Sequence, residues 1–150
     1  MYTPHTVTLY NLREKEDGQA PEINITVLEG VFLDISQGTN ILKSGLSGAD
    51  TAMLFIPFSV SAVNGMTGCG QTFLGAKEYD RLEDVDQYWT LRPGGTASAA
   101  DCFFVKGRVI EHGLGFGEIN RRYDNVYRVS SVDIRDFGSQ QMQHWQVGGK

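Results

Sequence analysis

The residues of this sequence that are most able to do chemistry are isolated from one another along the chain. His5, His112 and His144 have no second metal-ligating residue at the short spacings that zinc sites use. Cys69 stands between two glycines, where a thiol acts as a nucleophile only if a base lies near it. Cys102 precedes two phenylalanines and is expected to be a small core residue. We therefore predict no metal ligand, no bound cofactor and no catalytic residue.

Two short patterns resemble binding loops without meeting their requirements. The acidic residues from Asp80 to Asp86 lack the glycine and the final glutamate that a calcium loop places at its sixth and twelfth positions. Gly113–Gly117 resembles part of a phosphate-binding glycine loop, but Glu118 follows it, and its negative charge would repel a phosphate. We expect a solvated acidic helix face at the first pattern and a hairpin-type turn at the second.

The composition argues against several classes of protein. The net charge is −5 at pH 7, and Arg121 and Arg122 form the only adjacent basic pair, so sequence-specific binding of nucleic acid is not expected. No apolar run approaches the roughly 20 residues of a membrane span. The N-terminus lacks the basic and apolar regions of a signal peptide. We therefore expect a protein that is made in the cytosol with two free thiols.

Glycine is the residue type whose frequency departs most clearly from the usual. The chain holds 18 glycines among 150 residues. Each glycine inside a helix costs about 1 kcal/mol relative to alanine, so a helix bundle is disfavoured. Segments in which apolar residues alternate or run together instead predict five strands. They are Thr6–Tyr10, Ile25–Ile35, Thr51–Phe58, Asp101–Glu111 and Val126–Phe137.

Three details of these strands predict irregularities. Gly30 lies inside the second strand and predicts a bulge or a bend there. Pro57 has no N–H group and should mark the end of the third strand or an edge. That strand is apolar on both faces and is expected to be central and buried. The apolar phase slips at Ser130 and Ser131, which predicts a β-bulge in the last long strand.

The remaining segments predict one helix and two irregular regions. Lys77–Trp89 is the only predicted helix, because its apolar residues recur near helical spacing. We expect a glycine-rich excursion over about 59–100, exposed and mobile in its first part, and a flexible tail over about 138–150, with Met142–Val147 as a final short strand or arm. The predicted fold is an all-β or β-rich single domain over 1–150. It is a small antiparallel barrel or sandwich with one short helix and long glycine-rich loops.

The order of the strand segments resembles a known family. Val7–Asn11 is followed by an acidic loop and Ile25–Phe32, then by Asp50–Pro57 and later by Asp101–Val109. This succession resembles the small head–tail joining and minor structural proteins of tailed bacteriophages and prophages. The resemblance covers about two-thirds of the chain, which is longer than such proteins usually are because of its 59–100 insert and the tail after Gly138.

The resemblance implies a non-enzymatic β-barrel subunit that assembles into a ring in the neck, with portal, neck or tail subunits as partners. It implies assembly in the cytoplasm of the host bacterium and then a place in the virion. Under this interpretation, Phe73, Tyr79, Trp89 and Trp145 are candidate interface residues, since aromatic side chains dominate interface hot spots. The other interpretation of these aromatics is that they belong to the core.

Two other functions remain open from the sequence. One is a small β-rich module that binds a ligand or a host component of unknown specificity. The other, which ranks third, is an enzyme of a type that the residues do not identify.

Overall fold

Strands make up most of the fold. The computed structural model describes residues 2–14, 18–19, 21–36, 52–94 and 102–150. The strands are β1 (His5–Arg13), β2 (Glu22–Ile35), β3 (Ala52–Pro57), β4 (Ser61–Asn64), β5 (Thr72–Phe73), β6 (Tyr88–Trp89), β7 (Phe103–Lys106), β8 (Val126–Arg135) and β9 (His144–Gly149). The helices are α1 (Ala76–Arg81), α2 (Phe116–Arg122) and a short 3-10 helix at Gln140–Met142.

Six of these strands close into an antiparallel barrel. The order around it is β1–β7–β8–β9–β3–β2, and β2 pairs with β1 to complete the circle. Strand β4 continues the sheet along the same edge of β2 that β3 uses. The prediction of a β-rich fold with a small antiparallel barrel is confirmed.

Both predicted irregularities occur where the sequence places them. In β2, Gly30 has a φ of 87°, and the pairing with β1 slips beside it, between His5 and Thr6. In β8, the pairing with β9 slips between Val129 and Ser131. Because of this second bulge, Val129 and Val132 both face the barrel interior.

The third predicted strand is also located correctly. β3 lies between β2 and β9 and ends at Pro57. Leu54 and Ile56 are fully buried inside the barrel, whereas Met53 and Phe55 are only half-buried on its outer face. The strand is therefore central, but among the described residues only one of its two apolar faces is fully covered.

The predicted helix Lys77–Trp89 is much shorter than expected, because α1 ends at Arg81. Tertiary contacts join the local Leu82 N–H in satisfying the carbonyl groups at its end. The guanidinium of Arg13 donates to the carbonyls of Tyr79 and Leu82. Of the apolar residues that suggested a helical stripe, Tyr79, Val85 and Trp89 are buried, and turns and strand β6 carry the later ones.

A helix that the sequence did not suggest occurs after the glycine-rich segment. The expected hairpin-type turn at Gly113–Gly117 instead leads into α2, and Gly115 is the residue that precedes its first turn. The helix buries Ile119, and Arg128 of β8 places its guanidinium carbon 3.9 Å from the ring centroid of Phe116. Packing on the barrel and this cation–π contact stabilise a helix whose glycines disfavour it.

The fourth predicted strand is shorter than expected, since β7 ends at Lys106. Gly107 has a φ of 92°, which turns the chain away from the sheet. The hydroxyl of Thr8 donates to the Gly107 carbonyl at 2.8 Å, and the N–H of Val109 donates to the Thr8 hydroxyl at 2.8 Å. These two bonds fix the turn that follows the strand.

The strand alternative predicted for Met142–Val147 is confirmed by β9, but the expected flexible tail is wrong here, because β9 lies inside the barrel wall and includes Gly148 and Gly149. This strand pairs with β3 on one edge and with β8 on the other. Gly149 is packed against Phe104 and Tyr127 so closely that a Cβ would lie 2.8 Å from each. The backbone of Lys150 still exchanges hydrogen bonds with Arg128. Gly149, one of the two glycines that suggested fraying, is therefore at a position where nothing larger fits.

Buried apolar side chains form two clusters. The first fills the barrel, and the second lies between the outer face of β1, β7 and β8 and helix α2. The largest members of the first are Trp89, Phe104 and Trp145. The largest members of the second are Tyr10 and Phe103, whose rings stack at 4.6 Å.

The excursion after β3 is bonded to the barrel rather than open. The N–H groups of Gly65 and Gln71 donate to the carbonyls of Ile25 and Ala62 at 2.8 and 2.9 Å. The expectation of an exposed mobile segment over 59–75 is therefore wrong for β4 and β5, although Met66–Gly70 is exposed. Residues 95–100 of the predicted excursion lie outside the described residues.

Two buried amides of the barrel, Asn11 and Asn24, hold this excursion in place, and a third, Asn64, bonds one part of the excursion to another. Asn11 donates to the Thr90 carbonyl at 2.8 Å and accepts from the Thr90 N–H at 3.1 Å, so its side chain acts as a strand partner. Asn24 donates to the carbonyls of Val85 and Tyr88 at 3.0 and 2.8 Å. Asn64 donates to the Asp86 carbonyl at 3.0 Å. Each amide satisfies polar groups that would otherwise be buried without a partner.

Alkaline solution should destabilise this region through Tyr79. Burial raises the pKa of its phenol from the ordinary 10.0 to about 12. The folded state therefore holds this proton more tightly, so the associated stability is complete below pH 10 and is lost as the pH rises through 12. Denaturant unfolding followed by circular dichroism should show a steep loss of up to about 3 kcal/mol between these pH values. Tyr79→Phe should show a shallower loss, and equal slopes for the two proteins would contradict the assignment.

Candidate functional site

An aromatic surface lies on the outer face of the barrel where β2, β3 and β9 are adjacent. Phe32 and Phe55 are directly paired across β2 and β3, with ring centroids 5.8 Å apart. His5 stacks on Phe32 at 5.6 Å, and His144 lies 5.7 Å from Phe55. Together with Tyr2, whose ring centroid is 6.4 Å from that of Phe32, these residues form what we call the aromatic face.

Alternation along the strands explains why these side chains point outwards. Leu33 and Leu54, the neighbours of Phe32 and Phe55 along their strands, pair with each other and are buried in the barrel. Since successive residues of a strand point to opposite faces, Phe32 and Phe55 must lie outside. The same alternation puts His144 outside and its neighbour Trp145 inside.

The aromatic face encloses a shallow cavity of about 370 Å³. Tyr2, Phe32, Phe55 and His144 line it, and Tyr2 is 77% exposed. A second depression, of about 550 Å³, continues from His144 past Phe137. Phe137 is 69% exposed. Exposed apolar surface of this kind, interrupted by few polar atoms, is typical of sites where another molecule binds.

Charges of both signs flank the aromatic face. Asp34 follows Phe32 on the same outer face of β2. Asp133 and Arg135 lie on β8 opposite Gln146 and His144 of β9. The guanidinium of Arg135 is 4.0 Å from the carboxylate of Asp133. A polar rim around an apolar centre is the usual anatomy of a protein–protein interface.

One comparison with known proteins identifies the family of the chain. A family model described as a family of unknown function (DUF6751) matches residues 2–150. The chain belongs to the DUF6751 family. No curated protein and no solved structure shows a match to it.

The four aromatics predicted as interface residues have a different place in this DUF6751 chain. Tyr79, Trp89 and Trp145 are buried, with exposures of 1%, 2% and 8%, and Phe73 is half-buried. The expectation that they are exposed anchors is therefore wrong for the first three, which belong to the core. Phe73, Trp89 and Trp145 contact one another, whereas Tyr79 lies apart from them.

The other candidates for chemistry in the DUF6751 chain remain separate. Cys69 is an exposed free thiol, and Cys102 is a buried one. His5 and His144 lie on the aromatic face, and His112 is exposed elsewhere. Within the described ranges, no three His, Cys, Asp or Glu residues form a group that could hold a metal ion. None of the helices in the described part of the chain is long and apolar enough to cross a membrane.

The residues of the aromatic face were missed at the level of sequence, although a signal was present. β3 is apolar on both faces, and Phe32 lies in the outward phase of β2. Apolar residues that point outwards from two paired strands form an apolar surface, and no other part of the described residues buries it. That surface is the signal that predicts a binding site.

Proposed function

We propose that this DUF6751 protein is a non-enzymatic structural subunit of the head–tail connector, or neck, of a tailed bacteriophage or prophage. It assembles into a ring with other copies and with portal, neck or tail proteins. The aromatic face is the observation that carries the proposal, because it presents apolar rings on a rigid support. Assembly takes place in the cytoplasm of the host bacterium, and the assembled subunit belongs to the virion.

Two features of the fold support this role. A closed barrel has few free backbone edges, so its outer face keeps its shape while it binds a partner. The segments that resemble phage proteins supply β1, β2, β3 and β7, which are consecutive neighbours around the barrel in the order β7–β1–β2–β3. The resemblance therefore covers one continuous wall, and that wall carries Phe32 and Phe55.

Energetics also favour the aromatic face as the contact between subunits. Interfaces derive most of their free energy from a few aromatic anchors surrounded by a polar rim. Phe32 and Phe55 are such anchors, and Asp34, Asp133 and Arg135 lie at the rim. The net charge of −5 suits a subunit that lines a channel through which DNA passes without binding.

The double variant Phe32→Gln, Phe55→Gln should assemble at least about tenfold more weakly than the wild type, since each lost anchor costs 1 kcal/mol or more. Mass photometry over a range of concentrations measures the fraction of protein in assembled rings. The measurement is made with and without the portal protein encoded in the same genome. Ile110→Gln is the matched control, because Ile110 is 56% exposed but lies outside the aromatic face.

The proposal fails if the wild-type protein remains a monomer at high concentration and does not bind the portal. It also fails if the control and the double variant assemble equally well. Genes for a portal, a major capsid or a tape-measure protein beside this gene would support it independently.

A further inference from the structure

The rings of the aromatic face form a pattern that reads the same from either end. They lie in the order His5, Phe32, Phe55 and His144, and successive ring centroids are 5.6, 5.8 and 5.7 Å apart. A phenylalanine pair is therefore at the centre, with a histidine at each end. The centre of the pattern is a line that runs parallel to the strands, between Phe32 of β2 and Phe55 of β3.

Both histidines are displaced from the phenylalanine pair toward the same end of the barrel. His5 pairs with Val31 of β2, and His144 pairs with Pro57 of β3. Because β2 and β3 are antiparallel, Val31 and Pro57 lie on the same side of the phenylalanine pair along the strand direction. The four rings thus form a shallow arc, and its two halves correspond by reflection in the central line.

The two histidines differ in the hydrogen-bonding group that they present. The Nδ1 of His5 accepts from the N–H of Leu33 at 3.0 Å, so the proton of the neutral ring is on Nε2, which is a donor. The Nδ1 of His144 lies 2.8 Å from the carbonyl oxygen of Met142. A carbonyl oxygen only accepts, so Nδ1 carries the proton here, and Nε2 of the neutral ring is an acceptor.

Both Nε2 atoms are open to solvent. Within the described residues, neither atom is bonded, and neither is among the buried polar atoms that have no partner. One end of the arc therefore presents an accessible donor, and the other end presents an accessible acceptor.

A protruding ring and a depression also lie at opposite ends of the arc. Tyr2 is 77% exposed, and its ring centroid is 6.4 Å from that of Phe32. The depression of about 550 Å³ begins at His144, and its lining includes Phe137 and Met142, which are 69% and 53% exposed. Reflection in the central line carries the end that holds Tyr2 onto the end that holds the depression.

We propose that the aromatic faces of two copies of this chain bind each other about a two-fold axis that lies along the central line. Two surfaces that pack face to face about such an axis must each fit the reflected pattern of the other. Phe32 then packs on Phe55 of the partner copy, and Nε2 of His5 donates to Nε2 of the partner copy's His144. The axis repeats each contact, so the dimer contains two of these hydrogen bonds.

Tyr2 and Asp34 fit the same axis. Tyr2 of each copy enters the depression of the other, and an aromatic side chain that fills a pocket is a typical anchor of an interface. Asp34 pairs with Met53 across the central line. The axis therefore places Asp34 on Met53 of the partner copy, and two carboxylates do not face each other.

This dimer rests on the proposed function, because it gives the same face a contact between subunits. A two-fold contact closes after two copies, so it cannot extend into a ring. The dimer is therefore a form of the free subunit in which the aromatic face is covered. It must dissociate before that face binds a neighbour in the ring or the portal.

Sedimentation equilibrium of the purified protein, without the portal, should show a dimer. Tyr2→Ala should weaken dimerisation at least about tenfold, since the axis removes the anchor twice. Tyr2 is so exposed that this substitution leaves the core unchanged. Ile110→Gln is the matched control, because Ile110 is 56% exposed outside the aromatic face, and it should dimerise like the wild type.

A mixture of two variants tests the two-fold arrangement itself. His5→Phe and His144→Phe should each dimerise about thirtyfold more weakly than the wild type, since each variant alone loses both hydrogen bonds. In a mixed dimer, the remaining His5 of one copy faces the remaining His144 of the other, so one bond is restored. The mixed dimer should therefore form about fivefold more tightly than either variant alone. Circular dichroism confirms that each variant is folded.

The two-fold dimer is ruled out if the wild type sediments as a monomer at millimolar concentration. It is also ruled out if Tyr2→Ala dimerises like the wild type, or if mixing the two histidine variants gives no gain. Binding to the portal separates this result from the proposed function. A monomer that binds the portal overturns only the dimer, whereas a dimer that neither binds the portal nor forms rings overturns only the proposed function.

Discussion

Replacing Gly149 with alanine is expected to lower the free energy of unfolding by about 2 kcal/mol, the typical cost of overpacking a core. A Cβ at this position would lie 2.8 Å from the ring of Phe104 and 2.8 Å from the Cβ of Tyr127. Both neighbours are buried, and Gly149 is paired with Ala52 on one side and with Val129 on the other. Neither the backbone nor the rings can move without disturbing β9.

Chemical denaturation of the wild type and the variant measures this effect. Gly117→Ala is the matched control, because Gly117 lies in exposed helix α2 with nothing within 4 Å of its potential Cβ. This control should gain about 0.5–1 kcal/mol. If Gly149→Ala were as stable as the wild type, the packing of β9 described above would be wrong. Partial recovery of stability in Gly149→Ala, Phe104→Leu would identify the ring as the source of the clash.

The substitution Asn24→Asp should cost about 3 kcal/mol. It removes the amide donor that serves the carbonyls of Val85 and Tyr88 and the hydroxyl of Tyr79. A buried carbonyl without a partner costs about 1–3 kcal/mol, and here a carboxylate would be placed among several oxygen atoms. Since Asn24 is only 6% exposed, water cannot replace the lost donor freely.

Hydrogen exchange should locate this loss in the excursion. Amides of residues 85–90 should exchange much faster in Asn24→Asp, whereas those of β7 and β8 should be affected less, because local opening of the excursion leaves the barrel paired. Asn120→Asp is the control, since Asn120 is exposed on α2. Equal protection of residues 85–90 in the two variants would show that Asn24 does not hold the excursion.

The barrel could be predicted from the sequence because its signals are local. Gly30 and the phase slip at Ser130 and Ser131 mark bulges that depend only on the strand in which they occur. Pro57 ends β3 for an equally local reason, the absence of an N–H group. Such features predict where a strand bends or ends without knowledge of the neighbouring strands.

The errors concern segments whose structure is decided by distant contacts. Gly148 and Gly149 resemble a frayed end, yet both lie in β9, and Gly149 is required by the close approach of Phe104 and Tyr127 on other strands. The shortening of α1 depends on Arg13, which is more than 60 residues away in the sequence. The spacing of apolar residues within one segment cannot predict contacts with residues that are distant in the sequence.

The sequence could predict that aromatic residues form the candidate site, but not which of those side chains point out of the barrel. The sequence identifies aromatic residues as anchors, but it does not show which of them the barrel encloses. Trp89 is inside because the excursion packs on the barrel, whereas strand phase places Trp145 inside and Phe32 and Phe55 outside. Closure of the sheet decides between these outcomes.

Because β9 lies between β3 and β8, closure of the barrel depends on the order in which these strands are synthesised. On the ribosome, β3 and β8 emerge before the strand that separates them, so each presents unpaired backbone groups until residues 144–149 have left the exit tunnel. The barrel therefore cannot be closed until β9 pairs with both of these strands. A stall in translation before His144 would leave an open sheet that is prone to pair with other nascent chains.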